Sequence, residues 1–281
     1  MLRATLVLLT LIGAAGAAAA QPLDGRLKEI SDGRTVKLAY RSDSNPFSFV
    51  NGPGEPVGYS IDLCRAVVKS LTEQLKADLA ITWVAVTSQT RFKAVVDGLA
   101  DMECGSSSVT LSRMKEVDFS SYTFVENTGV MVKAASGLRS VNDLGGKSIG
   151  VIAGTTNEQA VARELKRRNI AAKSVQVASR QEGMAALRDG RIDGFASDKL
   201  LLSGAQGDAS LVMLPEDLSF EPYALVLPRG DWAFRLAVNT ALARTYRSDQ
   251  ILEIFTKWFS GTGARPNLLI GSIYLLGGLP E

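Results

Sequence analysis

Strand-like and helix-like segments alternate along most of the chain, and this alternation constrains the fold more than any other feature. The β-rich run TVKLAY (35–40) precedes a helical pattern from about Ser60, and ITWVAV (81–86) precedes the helical pattern QTRFKAVVDGLAD. The apolar residues of that second pattern recur at the spacing of one helix face: Phe92, Val95, Val96 and Leu99. Such an order is typical of parallel β-α-β units, so the sequence predicts an α/β fold rather than an all-β sandwich.

A second strand–helix series follows GVMVKA (129–134), and EPYALVLPRG (221–230) resembles GVMVKA in its apolar content. The chain then closes with two helical patterns, WAFRLAVNTALARTY and QILEIFTKWF. This order predicts two α/β lobes, with the second lobe inserted between two linking strands. The expected division gives residues 21–133 and 223–281 to the first lobe and residues 134–222 to the second.

The first twenty residues have the pattern of a signal peptide. A positive start at Arg3 is followed by a short apolar run and by an A-x-A series that ends before Gln21. The alternative is a membrane anchor, but the apolar run is short for a span of about 20 residues. We therefore expect cleavage after Ala20 and a mature protein in the periplasm, an oxidising compartment.

Composition excludes several classes of function. No histidine occurs in the 281 residues, so a Ser-His-Asp triad, a Cys-His pair and a His-ligated metal site are excluded. Two cysteines cannot form a four-cysteine zinc site. The formal net charge is +2, with basic and acidic residues interspersed, which does not indicate nucleic-acid binding. We expect no metal and no cofactor.

Two predicted helices begin where an anion could bind. The strand in GVIAGTTNEQ runs into a helix that has Thr155 at its start and Glu158 three residues later, the spacing of a capping box. Ser179 and Glu182 repeat this spacing in ASRQEG. A helix start exposes backbone N–H groups that suit a carboxylate or a small phosphate, although many such junctions bind nothing.

Arginines lie near three such junctions. Arg91 and Arg180 each stand near the start of a predicted helix, where a positive charge opposes the helix dipole. In SSSVTLSR, hydroxyl groups follow a strand, and Arg113 lies on a short helical turn beyond them. Arginine binds carboxylates in a bidentate manner, and Asp198 at the end of another strand could accept an ammonium group. Solvated surface charges are the alternative for each of these residues.

Several longer motifs resemble a known family. PFSFVNGPGEPVGYSIDLCRAVV, VTLSRMKEVDFSSYTF, LGGKSIGVIAGTT, GRIDGFASD and ILEIFTKWF, in this order, resemble the periplasmic solute-binding proteins of polar amino-acid ABC transporters. YRSDSNPFSF, VTSQTRFK and DMECGS are similar to the glutamate/aspartate-binding branch. The resemblance implies a type II, Venus-flytrap fold, in which two lobes joined by two hinge strands close on a ligand.

The resemblance also implies roles for individual residues. Arg113 would bind the ligand α-carboxylate and Asp198 its ammonium group, while Arg41 and Arg91 would face an acidic side chain. Arg180 stands where that branch commonly has histidine. The complete set of ligand-binding candidates is Arg41, Ser44, Arg91, Ser106, Ser108, Arg113, Thr155, Thr156, Arg180 and Asp198.

An acidic amino acid is the expected ligand, because a neutral one would leave the arginines of the cleft without counter-charges. The expected partners are L-glutamate or L-aspartate and a membrane ABC permease, with the binding protein a monomer and not an enzyme. The alternatives are a glutamine/asparagine-binding protein, the ligand domain of a sensor, and a cyclohexadienyl dehydratase-like enzyme on the same fold. Such an enzyme would need an acid in the cleft, for which Glu103 is the candidate.

Cys64 and Cys104 are the two cysteines of the chain. An even pair in an exported protein suggests a disulfide, whereas two buried free thiols would also suit the apolar positions that they occupy. The required Cα separation does not follow from sequence, so both possibilities stand.

Overall fold

The computed structural model describes residues 23–204, 208–262 and 265–280. The predicted signal peptide lies outside the described residues. The helices are α1 (Gly25–Gly33), α2 (Tyr59–Leu75), α3 (Arg91–Val96), α4 (Thr156–Arg167), α5 (Arg180–Arg188), α6 (Lys199–Ser203), α7 (Trp232–Arg247), α8 (Gln250–Phe259) and α9 (Leu268–Gly277). The strands are β1 (Thr35–Arg41), β2 (Asp43–Ser44), β3 (Ser48–Val50), β4 (Pro56–Val57), β5 (Ala80–Val86), β6 (Met102–Glu103), β7 (Asp118–Glu126), β8 (Thr128–Lys133), β9 (Ser148–Ile152), β10 (Lys173–Val177), β11 (Gly194–Asp198), β12 (Leu211–Met213) and β13 (Glu221–Leu227).

The strands form two five-stranded sheets and one small antiparallel sheet of β2, β3 and β4. The first large sheet has the order β5-β1-β6-β13-β7, and the second has the order β10-β9-β11-β8-β12. Both sheets are mixed. Strands β5, β1 and β6 run parallel in the first sheet, as do β10, β9 and β11 in the second. The last two strands of each sheet, β13 and β7 or β8 and β12, each pair antiparallel with the strand before them in the sheet order. The predicted α/β class and two-lobed architecture are confirmed.

The chain passes between the two sheets twice. It leaves the first sheet after Glu126 and enters the second at Thr128, and it returns between Met213 and Glu221. Strand β8 pairs with β11 and β12, so its backbone hydrogen bonds lie within the second sheet, although the predicted division places its residues with the first lobe. The division at 133/134 and 222/223 stays a prediction.

A disulfide joins Cys64 and Cys104 within the first lobe. Cys64 lies on α2 and Cys104 directly follows β6, and both are fully buried with their Cα atoms 6.2 Å apart. The covalent link therefore ties the helix to the strand end beneath it. Of the two possibilities that the sequence leaves open, the structure contains the disulfide.

Helix α9 is an element that the sequence patterns did not predict, since they ended the chain with two helices. It packs on α7 and β7, and the Tyr274 hydroxyl lies 2.8 Å from the buried hydroxyl of Tyr59. Its apolar residues lie on both the inner and the outer face, for example buried Ile270 and exposed Leu275, so it lacks the one-sided spacing that identifies a surface helix. No helix in the described part of the chain is long and apolar enough to cross a membrane.

Candidate functional site

Six charged side chains meet where the edges of the two large sheets face each other. Five directly end a strand or begin the helix after it, because the carboxyl ends of parallel strands and the following helix starts share one edge of a sheet. The group interacts electrostatically across the gap between the lobes. We name it the cleft cluster, and it consists of Arg41, Arg91, Glu103, Arg113, Arg180 and Asp198.

The two lobes contact each other beside this cluster. The hydroxyls of Ser108 and Thr156 lie 3.1 Å apart, which joins the loop after β6 to the start of α4. Arg113 donates through Nη1 to the carbonyl of Ser108 at 2.8 Å and through Nη2 to the carbonyl of Gly154 at 3.2 Å. Arg113 therefore spans both lobes, and its guanidinium donates to backbone carbonyls rather than to a carboxylate.

Asp43 connects two of the arginines. Its Oδ1 accepts from Nη2 of Arg41 at 2.7 Å, and its Oδ2 lies 3.9 Å from Nη1 of Arg180, which also donates to the Asp43 carbonyl. Burial opposes ionisation of Asp43, but Arg41 and Arg180 outweigh it and lower the pKa of the carboxyl. Because Arg180 begins α5 of the second lobe, this network is a second bridge between the lobes. Sequence reasoning missed Asp43, although it stands between the candidates Arg41 and Ser44.

Arg91 differs from Arg41 and Arg180, which contact Asp43, because it has no counter-charge in contact. It is 4% exposed, its Nε has no hydrogen-bond partner, and it forms no ion pair with any residue that the structure describes. Its Cζ lies 4.7 Å from the ring centroid of Phe92, and Cζ of Arg113 lies 4.9 Å from the same centroid. Burial, followed by the neighbouring charge of Arg113, lowers the pKa of Arg91 to about 9. The guanidinium groups of Arg91 and Arg113 thus both lie near the ring of Phe92, and neither forms an ion pair with a described acid. Such a pair of positive charges suits the binding of an anion.

Glu103, at the end of β6, is fully buried on the same side of the cleft. Its Oε2 accepts a hydrogen bond from the Ser107 hydroxyl at 2.8 Å, whereas Oε1 has no partner in the described structure. Burial raises the pKa of this carboxyl, and Arg91 opposes the rise.

The helix starts of the second lobe are capped, but not quite as the sequence predicts. Thr155 accepts from the backbone N–H of Glu158 at 3.2 Å, as expected. The Glu158 carboxylate, however, accepts from the N–H of Gly154 at 3.0 Å, one residue before the N-cap. The Thr155 hydroxyl also donates to the carbonyl of Ile152 at 2.6 Å, so its donor and acceptor are both used within the lobe. At α5, Glu182 makes the equivalent bond to Ala178.

Asp198 lies buried at the end of β11, in contact with a residue that sequence reasoning missed. Asn157 donates through Nδ2 to Oδ1 of Asp198 and to the hydroxyl of Thr128, both at 2.8 Å. Burial raises the pKa of Asp198, and the hydrogen bond from Asn157 opposes the rise. The amide thereby fixes the orientation of the carboxylate that the resemblance assigns to a ligand ammonium group. No spacing rule marks Asn157, which simply follows the two threonines.

The remaining candidates also lie at this edge of the lobes. Ser44 is fully buried in the loop that carries Asp43, and Ser106 is half-buried between Gly105 and Ser107. The ten sequence candidates therefore include the five charged residues that interact within the cluster and the Ser108–Thr156 contact between the lobes, while the roles of all ten in binding stay predictions. Among the described residues, no group of three or more His, Cys, Asp or Glu side chains is arranged to hold a metal ion.

Two lobes that meet around buried guanidinium groups, hydroxyls and an oriented carboxylate define a class: a two-lobed ligand-binding protein whose cleft suits a small charged solute. The bacterial extracellular solute-binding proteins, family 3, match the chain over residues 36–261. The chain belongs to this family.

Individual relatives agree with this assignment. The chain is 34% identical over 250 residues to the L-glutamate/L-aspartate-binding protein of Pseudomonas aeruginosa, covering 86% of this chain and 82% of the relative. It is 29% identical to the glutamate/aspartate import solute-binding protein of Salmonella typhimurium, covering 86% and 82%. A glutamine-binding protein of an ABC transporter in Bacillus subtilis is 26% identical, covering 88% and 89%.

Among solved structures, the chain resembles an ancestral amino-acid-binding protein described as a precursor of cyclohexadienyl dehydratase. The TM-score is 0.74 with 26% sequence identity, covering 84% of this chain and all of that one. The two-lobed fold is therefore shared with amino-acid-binding proteins.

Proposed function

We propose that the protein captures an acidic amino acid, L-glutamate or L-aspartate, between its lobes outside the cytoplasm and delivers it to an ABC transporter permease. In this proposal Arg113 holds the α-carboxylate, Asp198 the ammonium group and Arg91 the side-chain carboxylate. The relatives that bind glutamate and aspartate support it, and the charges of the cleft support it independently.

Arg91 is the observation that carries the choice of ligand. A buried guanidinium without a hydrogen-bonded acid is costly unless a ligand supplies the missing charge. The side-chain carboxylate of glutamate or aspartate would supply it, whereas the amide of glutamine would leave Arg91 charged and uncompensated. Glutamine or asparagine remains the alternative ligand, since a glutamine-binding relative also spans most of the chain.

Arg41 and Arg180 have a different part in this proposal. Both contact Asp43, so they are already compensated within the protein. They hold the first-lobe loop around Asp43 against α5 of the second lobe and add positive potential at the side-chain end of the ligand. This explains why an arginine can stand at 180, where the branch commonly has histidine.

Capture follows from contacts that need both lobes. Arg113 and Ser108 of the first lobe touch Gly154 and Thr156 of the second only when the lobes are together. A ligand that contacts both sides stabilises this arrangement by its differential affinity for it, and a permease can then recognise the closed form. No catalytic step is part of the proposal.

Calorimetric titration with the standard amino acids tests the choice of ligand, using protein that has been unfolded, freed of bound solute and refolded. We expect glutamate or aspartate to bind with a dissociation constant on the order of 1 μM or below, and glutamine and asparagine at least about tenfold more weakly. Tight binding of glutamine without binding of glutamate would refute the proposal.

A further inference from the structure

The carboxylate of Glu103 faces three arginines of the cleft cluster on the side of the first lobe. Arg91 from α3, Arg41 from β1 and Arg113 from the turn after Ser112 all act on it electrostatically. It nevertheless forms no ion pair with a described residue, and its Oε1 is buried without a hydrogen-bond partner. A group of this kind is sensitive to any charge placed near it.

The surrounding chain holds Glu103 in this position. The Ser107 hydroxyl donates to its Oε2, and the disulfide cysteine Cys104 follows it directly. At Gly105 an added Cβ would lie 2.0 Å from Oε1, so a side chain there would displace the carboxylate. Gly105 is itself fixed, because its carbonyl accepts from the Ser60 hydroxyl at 2.7 Å.

We propose that Glu103 sets the discrimination between acidic and neutral ligands, because its charge subtracts from the positive potential that Arg91, Arg41 and Arg113 present to the ligand side chain. This inference rests on the proposed function, since it assigns the side-chain end of the ligand to the surroundings of Arg91. Glu103 is a specificity-determining residue in this account. It does not contact the ligand and acts on it through the electrostatic potential of the arginines.

The protonation state of Glu103 then changes the preference for glutamate over glutamine. When the carboxyl is ionised, it repels a second carboxylate near Arg91 and weakens glutamate binding, while the neutral amide of glutamine is little affected. When the carboxyl is protonated, that repulsion disappears. Burial raises the pKa of Glu103, so the change falls closer to neutral pH than it would for an exposed glutamate.

Arg91, whose pKa burial lowers to about 9, acts at the same end of the ligand, so the comparison with Glu103→Gln at each pH separates its titration from that of Glu103. The groups elsewhere in the cleft do not produce the same signature. Asp198 faces the ammonium group and Arg113 the α-carboxylate, which glutamate and glutamine share. Glu126, whose pKa burial raises to about 8, lies at the crossing between the sheets and would act on closure around either ligand. The ratio of the two dissociation constants therefore isolates an effect at the side-chain end.

The test is calorimetry of glutamate and glutamine between about pH 5.5 and 8.5 on the full mature protein, comparing Glu103→Gln with the unchanged chain. At the high-pH end, we expect Glu103→Gln to raise the preference for glutamate about tenfold, with less than about threefold change for glutamine. As the pH falls, the unchanged protein should approach the ratio of the variant. Glu73→Gln, which removes the same charge from an exposed position on α2, should leave the ratio unchanged.

Ser107→Ala provides a second variant that keeps the carboxylate. It removes the hydrogen bond that favours the ionised form, so the preference for glutamate at high pH should rise. A ratio that is the same in Glu103→Gln and the unchanged protein at every pH, including an equal loss for both ligands, would overturn the inference. If the unchanged protein prefers glutamine, the proposed function fails, but a change in the ratio still reports on Glu103.

Discussion

The two walls of the cleft differ in whether their polar and charged groups have partners within the protein. On the first-lobe wall, Arg91 lacks a counter-charge, the guanidinium of Arg113 bonds to backbone carbonyls, and Glu103 has an oxygen without a partner. On the second-lobe wall, the hydroxyl of Thr155 and the carboxylate of Asp198 already have partners within the lobe. The first-lobe wall is incompletely paired, whereas these groups of the second-lobe wall already have partners.

This difference indicates how binding energy is divided. Groups that are buried without partners gain most from a ligand, because the ligand removes an existing penalty. Groups that are already satisfied gain less, but they need no reorganisation when the lobes close. We therefore expect the first-lobe wall to determine affinity and charge selectivity, and the second-lobe wall to provide a preformed surface for closure.

The largest expected effect is that of Arg113→Ala. The variant removes the guanidinium that would hold the α-carboxylate and that also bonds to Gly154 across the cleft. Loss of one partner of a buried charged contact costs about 4 kcal/mol, so binding of every amino acid should weaken roughly a thousandfold in calorimetry. Retention of near-normal affinity for any amino acid would remove Arg113 from the centre of the first-lobe wall.

Removal of the disulfide tests how much the Cys64–Cys104 bond contributes to the stability of the first lobe. Cys104 directly follows Glu103, and the bond closes a sequence separation of 40 residues. The Cys64→Ser, Cys104→Ser double variant should lose about 3 kcal/mol of unfolding free energy in a denaturant titration. Adding reductant to the unchanged protein is the matched control and should lower stability similarly. Equal stability with and without the bond would show that packing alone holds this wall.

The smallest expected effect belongs to the hydroxyl pair between the lobes. Thr156→Val removes one member of the contact with Ser108, a neutral hydrogen bond worth about 1 kcal/mol. Affinity should fall about fivefold for acidic and neutral ligands alike. Ser108→Ala and the double variant complete a cycle in which the second substitution should add little. A loss restricted to acidic ligands would contradict the assignment of charge selectivity to the first-lobe wall.

Much of the fold was predictable because it depends on local patterns. The helix around Val95 and the capping spacing at Thr155 reflect helix geometry, which adjacent residues determine. The predicted apolar face of the helix around Val95 was wrong in part, because α3 ends at Val96, and Val96 and Leu99 are exposed. The mixed direction of the sheets was not predictable in this way, because the partners of β7 and β13 are more than ninety residues apart in sequence. Helix α9 was missed because its apolar residues do not favour one face.

The candidate site shows the same division. Arginines at helix starts, such as Arg91 and Arg180, were visible in the sequence because their position opposes the helix dipole. The contacts that distinguish the two arginines were not visible in the sequence. Asp43 contacts Arg180 from the opposite lobe, whereas Arg91 has no acidic partner among the described residues and its Nε has no hydrogen bond. Only the folded structure separates a compensated arginine from an uncompensated one.

Arg91→Gln tests the central claim most directly, with calorimetry of glutamate and glutamine on the same protein. The account predicts that glutamate binding weakens about a hundredfold while glutamine binding changes less than about threefold. Lys93→Gln is the matched control, since it removes the same charge from an exposed position on the same helix. An equal loss of both ligands, or no loss of either, would contradict the account.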